Sequence, residues 1–238
     1  MSWPQTFSRS SIAMPGTKFT ETIRREQVTG AAYELAAEKG LHAITIREVA
    51  ARAGMSTGLV LFHFTSKEQL VLELLDWVLE TTTALRVGTE IEAIVSPLDR
   101  FVALLTQEME RLSAEPARTR VFFEFWGAGL WDPQIRGRMQ PELDRYRAAF
   151  LPIAAAVIDA EPERFGGVTA EALAAVAVSI VKGCAVQSLI EPTLDLTQFL
   201  VTTERLLRGS LPEIARIATR APSSNANHHL PNLSDGVQ

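Results

Sequence analysis

Five cations in the first 67 residues have the chemistry to meet phosphate: Arg24, Arg25, Arg47, Arg52 and Lys67. A guanidinium fork or an ammonium neutralises phosphate oxygens well, although each of these side chains alone also reads as a solvated surface charge. Residues 1–67 hold eight Lys/Arg against five Glu, a net of +3, and the remainder carries −8, for a total of −5. A mildly basic segment on an acidic body places any nucleic-acid contact at one end of the chain.

Other chemistries find less support. His42 and His63 are isolated, and His228 and His229 sit in a polar terminal stretch, so no metal site is expected. No phosphate-cradling glycine loop occurs, and nothing in the sequence pairs the carboxylates, which leaves an all-α enzyme as a weak alternative. No cofactor is expected. The sole cysteine, Cys184, excludes an intramolecular disulfide and suits a reducing cytoplasm. It lies in an apolar helical pattern, where a buried small hydrophobe is favoured over a nucleophile. No run reaches the roughly 18 uninterrupted apolar residues of a membrane span, and the first twenty residues lack the apolar core of a signal peptide. No membrane partner is expected.

The elements that position the cations are helical. From Thr22 to Lys39, Val28, Ala31, Ala32, Leu35 and Ala36 recur at helical spacing, and Gly40 closes the helix. Thr45 and Glu48 form a capping box, with Ile44 and Val49 as its hydrophobic staple, and Gly54 ends this second, short helix. The next stretch, GMSTGLVLFHFTSKEQL, has the apolar run of a buried strand. Caps on both sides decide against that. Ser56 opens a third helix to about Phe64, and Thr65–Glu68 or Ser66–Gln69 opens a fourth. Val60 and Phe64, four apart, anchor the third helix, leaving Thr57, Gly58, Leu61 and Phe62 outward. Two short helices joined at a glycine inside a three-helix unit are the layout of a helix-turn-helix. Similar corners also occur in all-α proteins that never touch DNA.

Residues 22–75 resemble the N-terminal domain of the tetracycline-repressor (TetR) family. The resemblance rests on the opening helix ending in EKG and on TIREVAARAGMSTGLVLFHFTSKEQL, about a quarter of the chain. It implies base-facing positions at Arg47, Thr57, Gly58, Leu59 and Leu61, and phosphate contacts at Thr45, His63 and Lys67. Arg47 has the geometry to read guanine O6 and N7, and Leu59 and Leu61 can touch only thymine methyls or sugar carbons. Lys67 adds charge where a helix N-terminus already attracts anions. His63 reads equally well as a histidine at the edge of the core. Leu61 departs from the tyrosine common in the family, which removes a hydroxyl from the contact surface.

The rest of the chain divides into long helical patterns. The fourth runs from Ser66 to about Val87, the fifth from Pro97 to near Ser113, and the sixth carries the aromatic run VFFEFWGAGLW. A long seventh follows Asp132–Pro133, with Pro141 and Pro152 placed to kink or divide it. Two more span 169–192 and 196–217. The aromatic run covers nearly every side of its helix, so it fills a core or borders a cavity. The resemblance implies a cavity among helices four to seven, with Trp77, Leu104, Phe122, Phe125 and Trp126 as lining residues and Glu108 and Glu124 as polar contacts. Glu124 facing such a cavity favours a cationic or hydrogen-bond-donating ligand. The IEPTLDL and FFEFWGAGLWDP segments look somewhat like the betaine-regulator (BetI-type) branch. The family also pairs its last two helices with their copies in a homodimer; periodicity alone does not separate that from an internal core.

The expected fold is therefore all-α: an arm over 1–20, a three-helix helix-turn-helix DNA-binding domain over 21–67, a helical ligand-binding and dimerisation domain over 68–220, and a disordered tail over 221–238. The expected function is a cytoplasmic, ligand-responsive transcriptional regulator. It would bind a palindromic double-stranded DNA operator as a homodimer and leave it when a small-molecule effector binds. A ligand-sensing module that acts through a protein partner is the other alternative.

Overall fold

A computed structural model describes residues 21–83, 85, 87–191 and 193–209. The expected N-terminal arm, the terminal tail with His228 and His229, and the last turns of the helix expected over 196–217 lie outside the described residues. The described residues form helices and connecting turns, without a strand.

The first four helices follow the capping pattern of the sequence. Helix α1 (Glu21–Lys39) buries Val28, Ala31, Ala32, Leu35 and Ala36 along one side. Gly40 turns the chain at φ 90°, and a Cβ there would meet His42 Nδ1 at 3.0 Å and Glu124 Oε1 at 3.3 Å, so both backbone and space favour glycine. A short 3₁₀ turn (Leu41–Ala43) leads into α2 (Ile46–Ala53), where Thr45 Oγ1 accepts from Glu48 N at 3.1 Å. Gly54 closes α2 in the left-handed region at φ 67° with open space where a Cβ would stand, so its backbone angle is the reason for glycine. Helix α3 (Thr57–His63) starts at Ser56, whose Oγ accepts from Leu59 N at 3.1 Å. Helix α4 (Lys67–Thr82) starts at Ser66, which accepts from Gln69 N at 3.2 Å, while Gln69 Oε1 reaches back to Thr65 N at 2.7 Å.

Helix α4 stops at Thr82, one turn before the expected Val87. The Thr81–Thr82–Thr83 run ends it, with the Thr81 hydroxyl donating to Trp77 O at 2.9 Å and the Thr83 hydroxyl to Leu79 O at 2.6 Å. A single turn, α5 (Thr89–Glu92), not anticipated from periodicity, precedes α6 (Pro97–Ala114), α7 (Pro116–Gly129) and α8 (Pro133–Ala148). The expected long seventh helix is divided. Pro141 sits inside α8 without ending it, and the break falls at Ala149–Phe150. Pro152 then lies in the first turn of α9 (Leu151–Ala160), where its missing N–H has no helical partner to lose.

Helix α10 (Ala170–Ile190), capped by Thr169, packs against α6, α7, α8 and α9. It is long and apolar enough to cross a membrane by length and composition. Here Leu173, Ala174, Ala177, Val178, Val181, Cys184 and Ala185 instead bury one side of it in the protein core, with Lys182 among them. Cys184 is free and buried, and burial pushes its thiol pKa up, as a small core residue requires.

One apolar core runs through Val28, Leu35, Ile44, Val60 and Phe64, on through Leu70–Leu79 of α4, and into Phe122, Phe125, Ile135 and Met139 of α7 and α8. The expected boundary near residue 67 thus lies on a continuous core. The contacts divide the chain between Leu194 and Asp195. Beyond that point α11 (Leu196–Leu207) is capped by Asp195, which accepts from Gln198 N at 2.9 Å.

Candidate functional site

The outward side of α3 is the candidate contact surface. Val60 and Phe64 are fully buried beneath it, as their spacing requires. Thr57, Gly58, Leu61 and Phe62 are exposed and Leu59 is half-buried. Phe62 is 76% exposed and Leu61 is 45% exposed, an unusual position for two large apolar side chains. Thr45 and Arg47, at the start of α2, are also exposed, and Lys67 is half-buried at the start of α4.

Two of the other cations, Arg25 and Arg52, have structural roles. Arg25 donates from Nη1 to the carbonyl of His63, the last residue of α3, at 2.6 Å. It also ion-pairs with Glu73 of α4 and lies 4.6 Å over the Phe64 ring. This one guanidinium satisfies an orphan carbonyl of α3 and ties it to α1 and α4. Arg52 pairs with Glu38 and lies 3.9 Å from Glu34, which holds α2 against α1 and lowers the Glu38 carboxyl pKa through hydrogen bonding and charge. These two arginines, read from sequence as phosphate-facing, instead position the helices that carry Arg47 and Lys67. His63 is also placed differently from a phosphate ligand. It is 6% exposed, with both ring nitrogens buried and without hydrogen bonds, so a phosphate contact requires the ring to turn out of the core.

A second group of polar residues lies inside the body. Glu108 of α6 is completely buried. Its carboxylate accepts from Arg111 Nε at 3.0 Å and Nη2 at 2.6 Å, and from the Tyr146 hydroxyl of α8 at 2.8 Å. Arg111 Nη2 also donates to Thr82 O at 2.9 Å, capping the end of α4. Lys182 of α10 is 5% exposed, and its ammonium lies 4.4 Å from the Phe122 ring centroid and 4.6 Å from that of Tyr146. Nζ makes no hydrogen bond. Burial, reinforced by the Arg111 charge and only partly offset by Glu108, lowers the Lys182 pKa to about 7. Burial and the adjacent Glu108 carboxylate push the Tyr146 phenol well above its usual range.

The candidate ligand residues separate into two sets. Phe122 and Glu108 belong to the Lys182 cluster, with Trp126 packed on Phe122 at 5.7 Å between ring centroids; Leu104 is buried on α6 and Phe125 in the shared core. Trp77 and Glu124 lie at the junction of head and body instead. Trp77 packs on Tyr33 of α1 at 4.8 Å, with Arg118 of α7 over it at 5.6 Å. Glu124 accepts from Leu41 N at 2.6 Å, so its carboxylate is spent on the 3₁₀ turn rather than aimed at a ligand. Sequence reasoning missed Lys182, Arg111 and Tyr146. The one visible signal was a lysine inside the apolar run AVAVSIVKGCAV.

Comparison with known proteins bears on both regions. Residues 28–74 match the family described as bacterial regulatory proteins, tetR family. Residues 97–212 match the BetI-type transcriptional repressor C-terminal family. The chain is 26% identical to the HTH-type transcriptional regulator BetI of Serratia proteamaculans over half of its own length and 61% of that protein. It is 30% identical to the HTH-type transcriptional repressor KstR2 of Mycolicibacterium smegmatis over 45% of its length and 52% of that protein. The similarity thus spans between half and two thirds of each relative. A TetR transcription regulator from Haloarcula marismortui has the same fold, with a TM-score of 0.61 and 21% identity over 79% of this chain and 96% of that one.

Proposed function

The chain belongs to the tetR family of bacterial regulatory proteins, and on that premise we propose that it is a DNA-binding transcriptional repressor whose operator affinity is set by a small molecule. The outward side of α3 carries this reading. Buried Val60 and Phe64 hold the helix by one side, Arg25 holds its end, and Thr57, Gly58, Leu61 and Phe62 are left to solvent. A helix presented this way fits a major groove. Arg47 supplies bidentate guanine reading, Leu61 and Phe62 supply apolar contact to thymine methyls and sugars, and Lys67 and Thr45 supply phosphate contacts. His63 joins them only if its ring turns outward.

The protein acts as a homodimer on a near-palindromic operator, with half-sites about one helical turn apart. The exposed side of α10 supports the dimer: Ala172, Val176, Ser179, Gln187 and Ile190 follow one another at helical spacing, with Val176 50% and Ile190 81% exposed. An effector that prefers a body shape incompatible with the half-site spacing shifts the population off DNA. Going from mostly bound to mostly free takes a differential affinity of about 5 kcal/mol. The family places the chain among regulators rather than enzymes, and a cytoplasmic location follows from that role.

Selection of bound sequences from random duplex DNA at two salt concentrations tests the reading. The expected result is a palindrome, bound more weakly at high salt and relaxed at one base position of each half-site in Arg47→Ala. If no sequence is enriched at low salt, the DNA-reading role is wrong, and a body that signals through a protein partner becomes the better account.

A further inference from the structure

Lys182 breaks the rule that buried charges are paired. Its ammonium is enclosed by α6, α7, α8 and α10, and no acceptor reaches it. The charged and titratable groups facing it are Glu108 and Arg111 on α6 and the Tyr146 phenol on α8. Glu108 is already committed, accepting from Arg111 on one side and Tyr146 on the other. With Lys182 protonated, one carboxylate against one guanidinium and one ammonium leaves a single positive charge over, and an anion beside Nζ would draw the proton onto it. That surplus, in a core that also holds Phe122, Tyr146 and Phe150, with Phe101 against Phe150, has the complementarity of an anion with an apolar body. A cationic ligand is disfavoured on two counts. The aromatic rings that would receive it already hold the protein's own ammonium, and Arg111 adds repulsion.

We propose that the effector is an amphipathic monoanion, a small carboxylic acid with an apolar or aromatic body, bound with its carboxylate on Lys182 Nζ between α6, α8 and α10. The assignment deepens the ligand-responsive reading and rests on it. It reverses the cationic preference that Glu124 would have favoured, because Glu124 is occupied at the Leu41 amide. The position also explains how occupancy reaches DNA. Arg111, next to Lys182, caps Thr82 O at the end of α4, and α4 carries Glu73, which holds Arg25 against the end of α3. A carboxylate on Lys182 competes with Glu108 for the local positive charge and loosens the grip of Arg111 on that carbonyl.

The test uses the full-length protein and three probes: phenylacetate, its isosteric neutral amide, and the smaller choline as the quaternary-ammonium control. Binding is measured by calorimetry in two buffers of different ionisation enthalpy, without DNA, on the wild type and on Lys182→Met. The methionine removes an unpaired buried amine, so it folds; its melting transition confirms this. The expected result is phenylacetate binding at least tenfold tighter than the amide, no choline binding, proton uptake near pH 7.5 as Lys182 becomes fully charged, and loss of the carboxylate preference in Lys182→Met. The proposal is overturned if phenylacetate does not bind at millimolar concentration, if choline or the amide binds as well, or if Lys182→Met leaves the preference intact. Operator release measured separately by the probe that does bind keeps the two claims apart. Choline binding with operator release removes the anion assignment and leaves the ligand-responsive reading in place. A bound carboxylate without release removes ligand-responsiveness alone.

Discussion

The outer side of α3 and the interior between α6 and α10 are opposites that break the same rule. On α3, large apolar side chains stand in water: Phe62 is 76% exposed and Leu61 45%. In the body, Lys182 is 5% exposed with no hydrogen-bond partner. Apolar groups outside and charge inside each cost free energy when the protein is alone. On the proposed readings a partner with complementary chemistry offsets the cost in each case: thymine methyls and sugars for α3, an anion for Lys182. The anchoring around both places follows the ordinary rule. Arg25, Arg52 and Arg111 are all paired, and Val60, Phe64 and Phe122 are fully buried. Burial inverted against a regular background marks where each partner is expected.

Five substitutions test whether the inversion belongs to these positions. Glu108→Ala has the largest expected effect. It strands Arg111, Tyr146 and Lys182 without an anion and lowers stability by about 3–5 kcal/mol, read by denaturant unfolding. A loss below about 1 kcal/mol means that the cluster is better hydrated than it looks. Lys182→Met works in the opposite direction. The folded-state pKa of Lys182 is lowered from 10.5 to about 7. Between those values the unfolded chain holds more protons, so the penalty is full below about pH 7 and fades as pH rises towards 10.5. The variant is expected to gain on the order of a few kcal/mol at pH 7 and to lose the rise in stability that the wild type shows between pH 7 and 10. Equal pH profiles would show that Lys182 is not desolvated.

The smaller effects belong to α3 and its neighbours. Arg47→Ala costs about 1–3 kcal/mol of operator binding and relaxes one base position, whereas Lys67→Ala weakens all sequences alike and lowers the salt slope by about 1. Phe62→Ala changes stability by no more than about 0.5 kcal/mol, because the ring buries little in the free protein, while operator affinity falls. If Phe62→Ala unfolds the protein as a core truncation does, the ring is packed in solution and the comparison fails on that side.

The head was legible because its signals are local. Thr45, Ser56 and Ser66 each cap a helix within three residues of their own position, and Gly54 declares its left-handed angle by being glycine. The outward positions of α3 follow from the four-residue spacing of Val60 and Phe64. What sequence could not show were contacts across long separations. Arg25 and Arg52 read as phosphate ligands until Glu73 and Glu38 are seen to claim them. Glu108 and Glu124 looked equivalent, yet one is locked to Arg111 and Tyr146 and the other to a backbone amide 83 residues away. Helix lengths failed for a smaller reason. Hydroxyl bonding by Thr81 and Thr83 at the end of a run of three threonines ends α4 early, a competition that hydrophobic periodicity does not register.

The bond from Leu41 N to Glu124 also limits how far evolution or an engineer can exchange parts of this molecule. The 3₁₀ turn entering α2 takes an acceptor from α7, Tyr33 stacks on Trp77, and Arg25 needs Glu73. A fragment cut near residue 67 loses all three partners at once. Grafting this head onto another regulator's body therefore calls for α4 and the Arg118–Glu124 stretch of α7 to travel with it, as one inherited cassette. A chimera joined near residue 67 would misplace α3 even with every residue of its outward side intact.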